Sequence, residues 1–192
     1  MALIFMVGFA GTIAAYRWVL RPAKPSAGQE NTHPLYGKKA PEIHGITLDG
    51  KPFDLTWPTD KPILLIFWAS WCLHCKIDVP VVMKARRSEL VPQFSPTRVQ
   101  IVGVMFRDLD DDRARAEAER QGLLSVRYGG DVGRDFGING VPSYLLVDQD
   151  GFAVYTRVGR GLISSSLFRG TVSARGAAFR QSRAQREAHR IK

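Results

Sequence analysis

The sequence predicts an α/β domain in three layers, a central mixed β-sheet flanked by helices. Three observations predict it. Residues 63–68 (ILLIFW) and 99–106 (VQIVGVMF) are short, uninterrupted apolar runs, as expected of strands buried on both faces. Between and after them lie segments with helix signals. Strand pairs with turn residues between them stand at both ends of the region.

The elements follow in order. Residues 43–48 and 52–55 alternate in polarity about Asp49-Gly50, a hairpin signal. The run 63–68 is a central strand, and a helix should start near Leu73. The run 99–106 is the next strand. Residues 110–121 (DDDRARAEAERQ) form a charged helix whose acids lie at the amino end, where they suit the helix dipole, and Gly122 ends it. Residues 131–136 form a short helix stopped by Gly137. Residues 144–147 (YLLV) are a strand, Gln149-Asp150-Gly151 a turn, and 152–158 the last strand. Ser164 or Ser165 caps a final helix. The order is β-β, then β-α-β-α, then β-β-α, with no internal repeat and no second domain.

With 192 residues, the chain suits one domain plus extensions. Hydrophobic residues at 45% and charged residues at 23% exclude wholesale disorder. The net charge is +9, and residues 157–192 hold nine Lys/Arg against the single acid Glu187. The rest is nearly neutral, which argues against a nucleic-acid-binding body. Residues 1–21 are apolar enough, and long enough, for one membrane span or signal-anchor. Arg17, Arg21 and Lys24 gather at the carboxyl end of the span, the reverse of the usual charge rule for a body outside the cytoplasm; an upstream basic stretch would reconcile the two. Residues 22–40 read as a Pro- and Lys-rich linker, 41–178 as the domain, and 179–192 as a basic tail.

Cys72 and Cys75 are the only cysteines. They sit where the first buried strand gives way to a helix. A thiol at a helix amino terminus is favoured as thiolate, the nucleophile of disulfide exchange. Cys72 is placed to be the exposed nucleophile, and Cys75, one turn later, to resolve the mixed disulfide. His74, as a cation or donor, would stabilise the Cys72 thiolate and make the couple more oxidising. A metal site is the rival reading: Cys72, His74 and Cys75 offer soft ligands to copper, but a closed zinc site lacks its fourth. A structural disulfide with so short a loop constrains the unfolded chain little. Gly140-Val141-Pro142-Ser143 precedes a strand. A cis Val141–Pro142 bond would need a structural reason, which docking beside a reactive disulfide supplies; a trans proline at a strand end is the alternative.

These residues carry a resemblance. Phe67-Trp68-Ala69-Ser70-Trp71-Cys72 with Cys75, then Asp78-Val79-Pro80, then residues 140–148 and the Asp150-Gly151 turn resemble the TlpA/ResA/DsbE group of membrane-anchored bacterial thiol–disulfide oxidoreductases, which have a thioredoxin fold. The resemblance implies that Cys72 attacks, Cys75 resolves and Pro142 is a cis proline facing them. It implies no cofactor beyond the Cys72–Cys75 disulfide. It also implies a domain in the periplasm, anchored to the cytoplasmic membrane through the lipid bilayer. Client protein thiols, those of apocytochrome c among them, would be its substrates, and a membrane thiol-electron transporter its donor. Trp71, His74, Asp78 and Val141 are then the residues that tune the couple or touch substrate, with Trp68 in the core.

Three departures stand out. Leu73-His74 replaces proline-containing spacers and resembles those of oxidases and isomerases. Ser143 follows Pro142 where cytochrome-dedicated members often carry glutamate. Ile66 stands where thioredoxins have a buried aspartate; Asp78, one turn beyond Cys75, could serve as proton acceptor instead. The sequence therefore supports a protein-disulfide reductase, with a disulfide oxidase or isomerase, and a copper-handling chaperone, as alternatives. A peroxiredoxin-type peroxidase lacks its proline-containing loop around Ser70.

Overall fold

Six consecutive fully buried residues form the centre of the molecule, strand β3 (Ile63–Trp68). The computed structural model describes residues 31–87 and 98–164. Among the described residues the other strands are β1 (Ile43–Thr47), β2 (Pro52–Leu55), β4 (Gln100–Met105), β5 (Ser125–Tyr128), β6 (Ser143–Val147) and β7 (Ala153–Val158). The helices are α1 (Leu73–Arg87), α2 (Asp111–Gln121) and α3 (Val132–Phe136). The strands make one mixed sheet in the order β2-β1-β5-β4-β3-β6-β7. The pairs β3–β4 and β4–β5 are parallel, and β3–β6 and β6–β7 are antiparallel.

The sheet separates two apolar layers because side chains alternate along a strand. Leu64, Ile66 and Trp68 of β3 share one layer with Val79, Val82 and Met83 of α1 and Ala118 of α2. Ile63, Leu65 and Phe67 share the other with Val132 and Phe136 of α3 and Ile43 of β1. Phe67 and Phe136 meet at 5.2 Å between ring centroids. Gly103 of β4 is closely surrounded: a Cβ there would lie 2.6 Å from Ser125 Oγ and 2.8 Å from the Trp68 indole Nε1. The predicted caps of α2 are present. Asp110 accepts from the Arg113 N–H, and Gly122 closes the helix in the left-handed region at φ 65°.

The structure adds a strand that the sequence reading lacks. Ser125–Tyr128 forms β5, which pairs with β1 and β4. It is short, and Val126 is its one aliphatic residue, so it carries no periodicity of its own. Its neighbours impose its conformation.

The linker assignment also changes over residues 31–40, which pack along β7. Asn31 and Thr156 exchange hydrogen bonds, the Gly37 N–H donates to the Ala153 carbonyl, and the Ala40 N–H to that of Gly151. Polar composition suggested a free tether, but a segment that adds backbone hydrogen bonds to a sheet edge needs no apolar run. No helix among the described residues is long and apolar enough to cross a membrane. The expected anchor, the final helix and the basic tail lie outside the described residues.

His33 fastens this strap. Its Nδ1 accepts the Leu35 N–H, and its Nε2 lies 3.2 Å from the Gly137 carbonyl, so a neutral ring with its proton on Nε2 satisfies both contacts. Burial lowers its pKa below the usual 6.5. The unfolded chain therefore binds more protons just below pH 6.5, and stability due to His33 is present above that pH and lost as pH falls. In thermal unfolding, the advantage of the native chain over His33→Gln should shrink as pH is lowered from 7 towards 5. An unchanged difference would contradict this account.

Candidate active site

The site forms at the edge of the sheet where β3 ends. The Cys72 N–H donates to the Ala69 carbonyl at 3.1 Å, which closes a tight turn out of the strand. Cys72 then occupies the position before the first residue of α1. Its carbonyl accepts the Lys76 N–H at 3.2 Å, and its Sγ accepts the Cys75 N–H at 3.0 Å. The sulfur thus takes the role of a capping side chain, facing the positive end of the helix dipole. Cys72 and Cys75 are joined as a disulfide, with their Cα atoms 5.2 Å apart.

Cys72 is less open than the sequence suggested, at 5% exposed against 0% for Cys75. The segment before β6 covers it. The Val141–Pro142 bond is cis, and the Val141 carbonyl oxygen lies 3.6 Å from Cys72 Sγ. Trp71, at 50% exposed, and the exposed Leu73 give the site an apolar rim, while Trp68 lies in the core. His74 is exposed on the first turn of α1.

Two buried carboxylates brace this edge. Asp78 accepts from the Tyr144 hydroxyl at 2.5 Å and from the Gly161 N–H at 2.9 Å. Burial, with the nearby Asp78 carboxylate, raises the Tyr144 phenol well above its usual range. Asp108, in the loop after β4, accepts from both the N–H and the hydroxyl of Ser70. Beside it, the Trp71 indole N–H donates to the Arg107 carbonyl at 3.1 Å. Arg107 holds a left-handed φ of 46° and lays its guanidinium over the Phe106 ring.

The fold thus brings Cys72, Cys75, Val141, Pro142 and Trp71 together, with Asp78 one turn behind Cys75. Sequence reasoning missed Asp108, Arg107, Tyr144 and Gly161. Asp108 had a signal: an acid just after a buried strand, at the carboxyl edge where sites of such sheets form. Among the described residues no group of three His, Cys, Asp or Glu is placed to hold a metal ion.

The family model described as Redoxin matches residues 35–165. The chain belongs to the Redoxin family. It is similar to the thiol:disulfide interchange protein DsbE of Escherichia coli (strain K12), at 30% identity over 169 residues, covering 82% of this chain and 84% of DsbE. It is similar to the thiol-disulfide oxidoreductase ResA of Bacillus thuringiensis subsp. konkukian, at 27% identity over 118 residues and 60% of this chain. That match spans 65% of ResA, just under two thirds of its length. Among solved structures, the thioredoxin domain of a thiol-disulfide oxidoreductase from Bacteroides vulgatus superposes with a TM-score of 0.56 at 25% identity, covering 72% of this chain and 96% of that one. This Redoxin chain therefore has the thioredoxin-like fold that the motifs implied.

The Asp108 brace has a measurable consequence. Ser70→Ala removes one hydrogen bond and should cost about 1 kcal/mol in urea unfolding. Asp108→Ala leaves the Ser70 N–H and hydroxyl buried without their acceptor and should cost about 3 kcal/mol. Equal losses for the two variants would contradict the brace.

Proposed function

We propose that the chain is a thiol:disulfide oxidoreductase, tethered to the bacterial cytoplasmic membrane with its domain in the periplasm, that reduces disulfides of client proteins. Apocytochrome c before haem attachment is the client class, and a membrane thiol transporter is the electron donor. The observation that carries the reading is Cys72 Sγ capping α1, with the Cys75 N–H aimed at it from 3.0 Å.

The chemistry follows from this geometry. In the dithiol form, the helix terminus favours the Cys72 thiolate. The thiolate attacks a client disulfide, and the first client sulfur leaves. The Val141 backbone runs beside Cys72, where an extended client segment can pair with it. Cys75 then attacks the Cys72 sulfur, the client leaves as a dithiol, and the Cys72–Cys75 disulfide seen here re-forms. The reverse sequence is oxidation. The motif resemblance to the TlpA/ResA/DsbE group supports reduction, while His74 in the spacer is the feature that supports an oxidase or isomerase.

The test is the reduction potential of the full chain in glutathione and dithiothreitol buffers. A reductase lies near −270 mV on the approximate scale on which a strong oxidant lies at about −120 mV. A value at the oxidising end would overturn the reductase reading. Cys72→Ser should abolish turnover, and Cys75→Ser should trap a client mixed disulfide, visible as a mass increase. Turnover surviving in Cys72→Ser would remove Cys72 from the nucleophile's place.

A further inference from the structure

Disulfide exchange at this site must move the proton of Cys75. That residue is fully buried in the disulfide-bonded structure, where its sulfur meets no bulk water. On the neighbouring strand, Ile66 offers no acid. Asp78 stands three residues after Cys75, and side chains so spaced on a helix are neighbours on one face, about 5–6 Å apart at Cβ.

The Asp78 carboxylate, 7% exposed, is held from two elements. The Tyr144 hydroxyl donates to Oδ2 from β6, whose Tyr144 lies opposite Ile66 of β3. The Gly161 N–H donates to Oδ1 from the turn after β7. Gly161 has a φ of 89°, a left-handed conformation that residues with a Cβ rarely adopt, so a glycine is needed to present that N–H. The groups facing the phenol are Asp78 from α1, Arg157 from β7 and Arg160 from the turn. The two arginines oppose the rise caused by burial and Asp78, yet the phenol stays well above its usual range and remains an O–H donor. Each carboxylate oxygen keeps a lone pair beyond the one already engaged.

Resting on the oxidoreductase reading, we propose that Tyr144 is the positioning residue of the resolving step: its hydroxyl holds the Asp78 carboxylate in the orientation that takes the proton of Cys75. The proton passes from Cys75 Sγ to the carboxylate. The Cys75 thiolate attacks the Cys72 sulfur, the bond between Cys72 and the client sulfur breaks, and its electron pair leaves on the client thiolate, which is protonated by solvent. Over the cycle the two protein thiols lose two electrons and the client disulfide gains them.

The test uses the reduced full chain and dithiobis-nitrobenzoate, a disulfide that releases one coloured thiolate when Cys72 attacks and a second when Cys75 resolves the adduct. Tyr144→Phe should leave the first phase unchanged and slow the second about tenfold at neutral pH. Asp78→Asn should slow the second phase at least as much, and the double variant no further. A second phase with unchanged rate in Tyr144→Phe would overturn the proposal, as would additive losses in the double variant. If Tyr144→Phe does not fold, Asp78→Asn decides: a native second phase overturns the proposal. A native chain that releases only the first thiolate would instead sink the oxidoreductase reading itself, and the proposal with it.

Discussion

The position at which β3 stops governs the rest of the site. The strand is buried on both faces and hydrogen-bonded on both edges, to parallel β4 and antiparallel β6. A strand so enclosed cannot shift register without moving its whole side-chain set to the wrong layer. The helix that follows therefore starts at one fixed place, and the sulfur of Cys72 is delivered to its amino terminus. Because β6 runs against β3, the start of β6 lies at the same edge as the end of β3. That antiparallel relation brings Val141 and Pro142 beside Cys72 across a separation of 69 residues.

The polar groups at this edge come from separate elements, and each is buried only because another satisfies it. Asp108 follows β4 and serves the Ser70 turn. Asp78 belongs to α1 and binds β6 and the turn after β7. A buried carboxylate without donors is costly, so each pairing holds its two elements in one arrangement. The disulfide is thus framed by rigid contacts, which fix the positions of its two sulfurs. Pro80 interrupts the backbone ladder of α1 on its solvent side, away from this frame.

The strap links the far side of the sheet to the same loop. It runs along β7 and reaches Gly137 through His33, three residues before the Gly140-Val141-Pro142 segment. A chain tethered through its amino end would transmit its tether to the domain through this docked segment rather than through a free linker.

Much of this was legible in the residues. The apolar runs announced β3 and β4 because double-sided burial tolerates no polar residue. Asp110 and Gly122 marked the ends of α2 because capping chemistry is local. The cysteine spacing and the Val141–Pro142 motif pointed to the chemistry. Other features depended on partners distant in the chain. Strand β5 is held by β1 and β4 rather than by its own pattern, and residues 31–40 are held by β7. The near-burial of Cys72 depends on Val141, and the role open to Asp78 depends on Tyr144 and Gly161. The sequence by itself determined the local chemistry: a thiol at a helix start, a second cysteine one turn on, and the turns that end each element. Only the tertiary structure decided which buried donors meet which buried carboxylates, because those hydrogen bonds join residues that no local periodicity brings together.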